Sequence, residues 1–150
     1  MTNKINTLLN FILIGMLVFV SSANAKDSMG KIKEIKVNQV ESTIKSQSFD
    51  KPLIIHFSST DGSCRPCMYD NGGMDEASGA LSETYNIAAV YFNPWRDINK
   101  HNHLEEKYEV KALPATTIFY KGKIVATQAG TIKNKAHILK KFWKEHKAKK

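Results

Sequence analysis

Two cysteines, Cys64 and Cys67, are the only ones in the 150-residue chain, and Arg65 and Pro66 separate them. Thiols this close in sequence could form a structural disulfide, bind a metal ion or exchange electrons with other thiols. A disulfide across two intervening residues closes a very small loop, and the stability that a disulfide adds grows with the size of its loop. This disulfide would stabilise the fold very little, so a purely structural role is the weaker interpretation.

Thiol–disulfide exchange requires a thiolate that attacks and a second thiol that resolves the mixed disulfide. Residues three apart are neighbours in the first turn of a helix, so Cys64 and Cys67 can bond to each other there. Free backbone N–H groups and the helix dipole favour an anion at a helix start, which makes Cys64 the predicted nucleophile and Cys67 the resolving thiol. Arg65 either adds a positive charge beside Cys64 or is a solvated surface charge. Pro66 suits a first helical turn, where its missing N–H costs nothing.

A metal-binding module is an alternative of another class, because thiolates are soft ligands that suit Cu(I). Met68 and Met74 follow the cysteines, but Arg65 would repel a cation, and no further cysteine or histidine has a suitable spacing. His101 and His103 are two residues apart and would face different directions on a helix, so we interpret them as surface residues. We expect no metal site and no cofactor other than the disulfide itself. A third possibility, an interaction domain without catalytic activity, would not need to keep both cysteines.

Hydrophobic periodicity predicts alternating strands and helices around these cysteines. A buried strand is predicted over 51–59, directly before the cysteines, and a helix over 74–85 follows the cysteine stretch. The other predicted elements are an edge strand at 30–37, a helix at 38–46, a strand at 86–93, a helix at 97–108, strands at 113–120 and 123–130, and a helix at 134–146. This order predicts an α/β fold, with a central mixed β-sheet flanked by α-helices on both faces.

Two boundaries in this scheme have specific sequence signals. Asn38 is the predicted N-cap of the first helix, with Glu41 at the third helical position as in a capping box. Lys121 and Gly122 separate the last two strands and predict a tight β-hairpin. These signals define where the first helix begins and how the last two strands are joined.

The chain resembles the thioredoxin superfamily in four features. "KPLIIHF" leads into "CRPC" at a strand-to-helix junction, "YEVKALPATTIFYKGK" is similar to the segment around the family's cis-proline, "GKIVATQAG" is similar to its last strand, and an amphipathic helix follows. The resemblance covers about residues 31–147. It implies a thioredoxin-like fold, disulfide exchange with other proteins and a cis peptide bond before Pro114. It also implies that the backbone of Leu113 is free to pair with an extended substrate segment.

Several positions depart from the family's pattern. Ser63 stands directly before the first cysteine, where tryptophan is usual, and Gly72 stands where a proline usually bends the active-site helix. Ser58 occupies the position of a buried acid that accepts a proton from the second thiol. His56 lies two residues earlier on the same strand face and could replace that acid. His56 is either a buried base for Cys67 or a hydrogen-bonded core histidine.

Residues 1–25 have the pattern of a secretory signal peptide. They contain a lysine near the start, the apolar run "FILIGMLVFV", and the small residues Ala23 and Ala25 before a cleavage point. The apolar run is short for a membrane span, which needs about 20 residues, and an uncleaved anchor is the alternative. We therefore expect residues 26–150 to form one exported, thioredoxin-like domain, with the periplasm as its location.

The chain has a formal net charge of +8, and residues 1–25 contribute one lysine and no acid, so the remainder carries +7. Clustered lysines near both ends of that remainder could contact phosphates. An exported protein rarely meets nucleic acid, so we do not expect nucleic-acid binding. Weak attraction to anionic membrane surfaces or acidic partners fits the charge better.

The predicted function is that of a monomeric thiol–disulfide oxidoreductase that acts on protein substrates and is recharged by a membrane-bound redox partner. The proline directly before the second cysteine, Pro66, resembles the sequence of the reducing thioredoxins, which favours a reductase. Arg65 would stabilise the thiolate and favours the alternative, an oxidase or isomerase. The loop 60–63 and the segment 93–103 are the predicted surfaces for partner choice. Trp95, in that segment, either lines the face that carries the cysteines or caps the core.

Overall fold

The structure is a computed structural model that describes residues 32–149. Within them the chain forms one mixed β-sheet with the strand order β1-β3-β2-β4-β5. The elements are β1 (Lys33–Glu34), a 3-10 helix (Val37–Gln39), α1 (Val40–Gln47), β2 (Leu53–Ser58), α2 (Arg65–Leu81), β3 (Asn86–Tyr91), α3 (Ile98–Tyr108), β4 (Ala115–Tyr120), β5 (Lys123–Ala129) and α4 (Lys135–Ala148). The predicted α/β fold with a central mixed sheet is confirmed.

The strand before the cysteines, β2, lies at the centre of the sheet, and all six of its side chains are buried. It is parallel to β3 and antiparallel to β4. A strand that is apolar on both faces is expected where helices cover both sides of a sheet. Because β2 and β3 are parallel, both strands finish at the same end of the sheet, where Ser58 lies opposite Tyr91. The loops that follow these two strands are therefore neighbours.

Helices cover both faces of the sheet, and successive residues of β2 point to opposite faces. Ile55 and Phe57 belong to the core cluster beneath α1 and α3. Ile54 belongs to the cluster beneath α2 and α4. His56 and Ser58 alternate with the first two residues and so share the face of Ile54. That face is the one covered by the helix that carries Cys67.

The start of the first helix differs from the prediction. Asn38 is not the N-cap, because it lies inside the 3-10 helix and α1 begins at Val40. The side-chain oxygen of Gln39 accepts the backbone N–H of Lys36 at 2.8 Å and closes this earlier turn. Glu41 lies in the first turn of α1, where its carboxylate binds two lysine side chains instead of completing a capping box.

The predicted hairpin between β4 and β5 is confirmed. Lys121 and Gly122 have φ values of 51° and 74°, in the left-handed region that a type I′ turn requires at both positions. The N–H of Lys121 donates to the Ser48 carbonyl at 2.7 Å, and that of Gly122 to the Ser48 hydroxyl at 2.9 Å. The hairpin is thereby attached to the end of α1, at the opposite end of the sheet from the cysteines.

The predicted signal peptide, residues 1–25, lies outside the described residues and stays a prediction. In the part of the chain that the structure describes, no helix combines the length and the apolar character needed to cross a membrane.

Candidate active site

A tight turn connects β2 to α2 and places Cys64 directly before the helix. The Asp61 carboxylate accepts the N–H of Ser63 at 2.9 Å, and the Asp61 carbonyl accepts the N–H of Cys64 at 3.0 Å. The short Asp side chain reaches the backbone two residues ahead, so Asp forms such turns readily. Hydrogen bonding from Ser63 is the main reason that the pKa of Asp61 is lowered. α2 then begins at Arg65 with Pro66 in its first turn, as predicted.

Cys64 and Cys67 form a disulfide, with 5.3 Å between their Cα atoms. Cys64 is partly exposed, whereas Cys67 has no exposed surface. Another protein's thiolate or disulfide can therefore reach Cys64 but not Cys67. Arg65 is exposed beside them. An accessible sulfur and a shielded one are the arrangement that an attacking and a resolving cysteine require.

Pro114 lies beside this site because β4 pairs with β2. The peptide bond between Leu113 and Pro114 is cis, as expected, and the proline is buried. The next residue, Ala115, pairs with Phe57 near the end of β2, so Pro114 stands next to the start of the loop that leads to Cys64. Its carbonyl accepts the N–H of Gly130 at 2.7 Å, which ties the end of β5 to the same corner of the sheet.

His56 is buried, and both of its ring nitrogens have partners. Asn71 donates its amide N–H to the Ser59 carbonyl at 3.1 Å, which leaves the amide oxygen facing Nε2 of His56 at 3.2 Å. Nε2 must carry the proton, so Nδ1 accepts from the Thr116 hydroxyl, also at 3.2 Å. Burial lowers the pKa of His56 to about 4, and the charge of Lys135 acts in the same direction. These contacts favour a neutral, hydrogen-bonded core histidine over a base for Cys67.

A buried ion pair lies next to His56. Oδ2 of Asp70, on α2, is 2.7 Å from Nζ of Lys135, on α4, and both side chains are almost completely buried. Oδ1 of Asp70 accepts the backbone N–H of Ile132 at 3.2 Å. Oδ2 also lies 3.8 Å from Nδ1 of His56. Asp70 therefore holds the helix that carries Cys67 against the start of α4.

Solved structures with the same architecture include three thioredoxins. Mitochondrial thioredoxin 3 from Saccharomyces cerevisiae, in its oxidized form, has a TM-score of 0.54 and 18% identity over 76% of this chain and 94% of its own. Thioredoxin f2 from Chlamydomonas reinhardtii has a TM-score of 0.58 and 16% identity, covering 73% of this chain and 93% of its own. For the Malassezia sympodialis thioredoxin Mala s 13 the values are 0.56, 18%, 78% and 91%. The chain has a thioredoxin-like fold.

At this level of identity the likeness concerns the fold alone. Neither a family model nor a curated protein sequence matches the chain significantly. Inside the thioredoxin-like fold, the chemistry must therefore be argued from the residues of this chain.

The position of the expected buried acid is occupied by Ser58. Its hydroxyl is fully buried, and among the described residues it is the one buried side-chain polar atom without a hydrogen-bond partner. Among residues 32–149, the buried acid is instead Asp70, three residues after Cys67 on α2. From the sequence, Ser58 and His56 were the candidates for that place, and Asp70 was missed.

A spacing signal for Asp70 was present in the sequence. The buried residues of α2 follow one helical stripe, which consists of Cys67, Asp70, Met74, Ala77, Ser78 and Leu81. An acid at a core position of a helix needs a partner, because burying an unpaired charge is very unfavourable. Lys135 had no comparable signal, since it is one of many lysines in the last segment of the chain.

Other positions that depart from the family pattern do not interrupt the local structure. α2 continues from Arg65 to Leu81, through Gly72, without a break. Ser63 is exposed before Cys64, so no bulky side chain covers the first cysteine from that position.

The two neighbouring histidines do not converge on a common point. The ring of His101 packs against Phe92, and the ring of His103 packs against Tyr108, each with 6.2 Å between ring centres. Within residues 32–149, no group of three or more potential metal-binding side chains is brought together. Trp95 is 80% exposed, so it does not cap the core.

Proposed function

We propose that this protein is a thiol–disulfide oxidoreductase that exchanges the Cys64–Cys67 disulfide with protein substrates and acts as a reductase. The single observation that carries the proposal is the asymmetric disulfide. Cys64 is accessible at the start of α2, and Cys67, one turn further along, is shielded. A static disulfide in so small a loop would contribute little stability, whereas this asymmetry assigns a distinct role to each sulfur.

In the reducing direction, the Cys64 thiolate attacks one sulfur of a substrate disulfide. The substrate S–S bond breaks, a mixed disulfide forms with Cys64, and the other substrate sulfur leaves as a thiolate. Cys67 loses its proton and attacks the sulfur of Cys64. This step re-forms the Cys64–Cys67 disulfide and releases the second substrate thiolate, so two electrons pass to the substrate. A membrane-bound dithiol partner would then reduce the protein again.

The segment before Pro114 supports binding of an extended substrate. Among the described residues, the backbone N–H and C=O of Leu113 have no backbone hydrogen-bond partner, and they lie where β4 begins beside the end of β2. A substrate strand that contains the disulfide could pair with these groups, as in β-strand addition. Pairing of this kind would position the substrate sulfur without requiring a specific side chain.

The direction of electron flow rests on the residues between the cysteines. Pro66 lies in the first turn of α2 and has no backbone N–H that could stabilise a thiolate. A proline at this position resembles the reducing members of the superfamily. Arg65 is exposed, so the solvent screens its charge and Arg65 stabilises the Cys64 thiolate only weakly. An oxidase or isomerase is the second candidate, and the reduction potential separates them.

The main test compares the purified protein with Cys64→Ser and Cys67→Ser, using insulin disulfides as substrate and dithiothreitol as electron donor. Wild type is expected to turn over. Cys64→Ser should lose activity. Reduced Cys67→Ser, freed of dithiothreitol before it is mixed with insulin, should accumulate a mixed disulfide that mass spectrometry detects. Full activity in Cys64→Ser would exclude the proposal.

Equilibration with glutathione buffers then gives the direction. A reduction potential near the roughly −270 mV of thioredoxin supports a reductase, whereas one near the roughly −120 mV of a disulfide-donating protein supports the oxidase alternative.

Export is part of the proposal and rests on the pattern of residues 1–25. In a bacterial host, the full chain should be recovered from the periplasmic fraction and should begin at Lys26. A chain lacking residues 2–25 should remain in the cytoplasm. Equal distribution of the two chains would contradict export.

A further inference from the structure

One hydrogen bond joins the loop before Cys64 to the loop after β3. Nδ2 of Asn93 donates to Oδ2 of Asp61 at 2.5 Å. The other oxygen of Asp61 accepts the N–H of Ser63, directly before Cys64. One carboxylate therefore connects the end of β3 to the turn that presents the accessible cysteine.

The same asparagine determines the shape of the turn that follows. Oδ1 of Asn93 accepts the backbone N–H groups of Trp95 at 2.9 Å and Arg96 at 3.1 Å, and its carbonyl accepts the N–H of Asp97 at 2.8 Å. We call residues 93–97 the Trp95 turn. Because Asn93 organises this turn and also binds Asp61, the turn is held in a defined position beside Cys64.

Exposed apolar side chains are distributed unevenly over the described residues, and the Trp95 turn contributes one of them. Five large hydrophobic side chains are exposed among the described residues. Four lie at the disulfide end of the sheet: Met68 and Tyr69 on the first turns of α2, and Trp95 and Ile98 after β3. The fifth, Phe49, lies at the opposite end near the hairpin. Exposed apolar side chains concentrated in one region indicate an interaction surface, and Trp is a frequent source of binding energy in interfaces.

Two positive side chains at this end form no ion pair within residues 32–149. Arg65 and Arg96 are exposed, and neither forms an ion pair with a described residue. Two of the nearby acids are already engaged, whereas Glu34 and Asp75 form no ion pair with a described residue. Asp61 accepts the hydrogen bonds described above, and Asp97 pairs with Lys100 at 2.8 Å. An acidic segment that approaches would therefore meet two guanidinium groups outside any ion pair of the described residues, of which Arg96 also acts on the Asp61 carboxylate through its charge.

A cleft of about 570 Å³ opens on the far side of the Trp95 turn. Asp97, Asn99 and Lys100 line it from the start of α3, and Tyr91 and Phe92 line it from the end of β3. Glu34 and Lys36 line its other side, so the cleft carries charges of both signs. A polypeptide that crosses Trp95 away from Cys64 can continue into this cleft. The surface therefore has the extent of a peptide-binding site.

We propose that the Trp95 turn, together with Arg65, binds an acidic polypeptide segment that carries a large apolar side chain and flanks the disulfide of the exchanging protein. This inference rests on the proposed function, because the disulfide of that protein reacts at Cys64. It adds a substrate class: proteins with acidic, apolar segments next to an accessible disulfide. Trp95 and Arg96 bind the segment, and Asn93 positions them.

The test uses two peptides of equal length, each with one internal disulfide next to a leucine. Glutamates flank the disulfide in one peptide and lysines in the other. For each variant, kcat/KM for the peptide is divided by the rate constant for a small neutral disulfide, bis(2-hydroxyethyl) disulfide. Trp95→Ala should lower this ratio about tenfold for the glutamate peptide, as expected of an interface tryptophan. Arg96→Glu should reverse the preference between the peptides, and Asn93→Ala should lower the ratio severalfold.

Phe49→Ala is the matched control, because it removes an exposed aromatic side chain at the other end of the sheet. Its ratio should equal that of wild type. Equal ratios for Trp95→Ala and Phe49→Ala, or a wild-type preference for the lysine peptide, would overturn the inference.

If the protein reduces neither the peptides nor the small disulfide, that result contradicts the proposed function and not the inference. Calorimetry with the glutamate peptide whose cysteines are replaced by serine then decides the inference. Weaker binding to Trp95→Ala than to wild type supports it, and equal binding overturns it.

Discussion

Asp70 and Lys135 form an ion pair of 2.7 Å between helices α2 and α4, and water reaches almost none of either side chain. The same carboxylate accepts the N–H of Ile132. A helix that carries a reactive disulfide is thereby attached to the start of the last helix, directly beneath the sheet face that contains His56. At this position in the buried stripe of α2, the ion pair stands where an apolar contact would be usual.

Lys135→Met should destabilise the protein by about 3–5 kcal/mol, because it leaves the Asp70 carboxylate buried without its counterion. Urea unfolding measures this loss. Asp70→Leu combined with Lys135→Met should lose less than the sum of the two single variants, since the double variant buries no charge.

Lys141→Met provides the control on the same helix, because Lys141 is exposed and only weakly paired with Glu145 at 3.9 Å. Its effect should stay within about 0.5 kcal/mol. A similarly small effect of Lys135→Met would show that the buried pair is not important for stability.

The stability of the protein should fall as the pH decreases from about 6.5 to about 4. Burial lowers the pKa of His56 to about 4 in the folded protein, whereas an unfolded histidine has a pKa of about 6.5. Between these values the unfolded chain binds a proton that the folded protein does not, so protonation favours unfolding. The loss is on the order of 3 kcal/mol, and urea unfolding at a series of pH values measures it.

His56→Gln should flatten this pH dependence, even if it changes the overall stability. His137→Gln, at an exposed position of α4, should keep the wild-type slope. An unchanged slope in His56→Gln would assign the pH dependence to other groups.

Ser58→Ala should raise the free energy of unfolding by about 1 kcal/mol. The Ser58 hydroxyl is buried without a hydrogen-bond partner, and an unsatisfied buried hydroxyl has lost its hydration without compensation. Thr117→Val is the comparison, because the buried Thr117 hydroxyl does have a partner, the hydroxyl of Thr127 at 3.2 Å. That variant should lower stability, again by about 1 kcal/mol. A loss of stability in Ser58→Ala would mean that its hydroxyl makes a favourable interaction.

Two glycine substitutions should have opposite effects. Gly72 lies inside α2, and a Cβ there meets no atom within 4 Å, so Gly72→Ala should stabilise the helix by about 0.5–1 kcal/mol. Gly122 has a φ of +74°, and Gly122→Ala should destabilise the hairpin by about 1–2 kcal/mol. Thermal unfolding distinguishes the two signs. Stabilisation by both substitutions would contradict the left-handed turn.

The periodicity of the sequence was sufficient to predict the order of the elements and the central position of β2. It was sufficient because each segment has one dominant pattern, such as the apolar run at 53–58. The start of α1 was predicted wrongly because only Asn38 was considered as a cap. Gln39 closes an earlier turn through its longer side chain, and local sequence does not indicate which of two such turns is the more stable.

Part of the site was predictable from the sequence. Whether a residue could be predicted depends on whether its contacts are local in the sequence. The placement of Cys64 and Cys67 at a helix start follows from spacing and from Pro66, which are local. The pairing of Asp70 with Lys135 is not local, because 65 residues separate them and only the packing of α2 against α4 brings them together. The Trp95 turn likewise depends on the parallel pairing of β2 and β3, which makes two distant loops neighbours.

The ion pair between α2 and α4 also constrains how this sequence can change over generations. A substitution at position 70 or 135 alone buries a charge without its counterion, so most such steps are selected against. A second substitution at the other position removes that penalty. Positions 70 and 135 should therefore vary together among descendants of one ancestor.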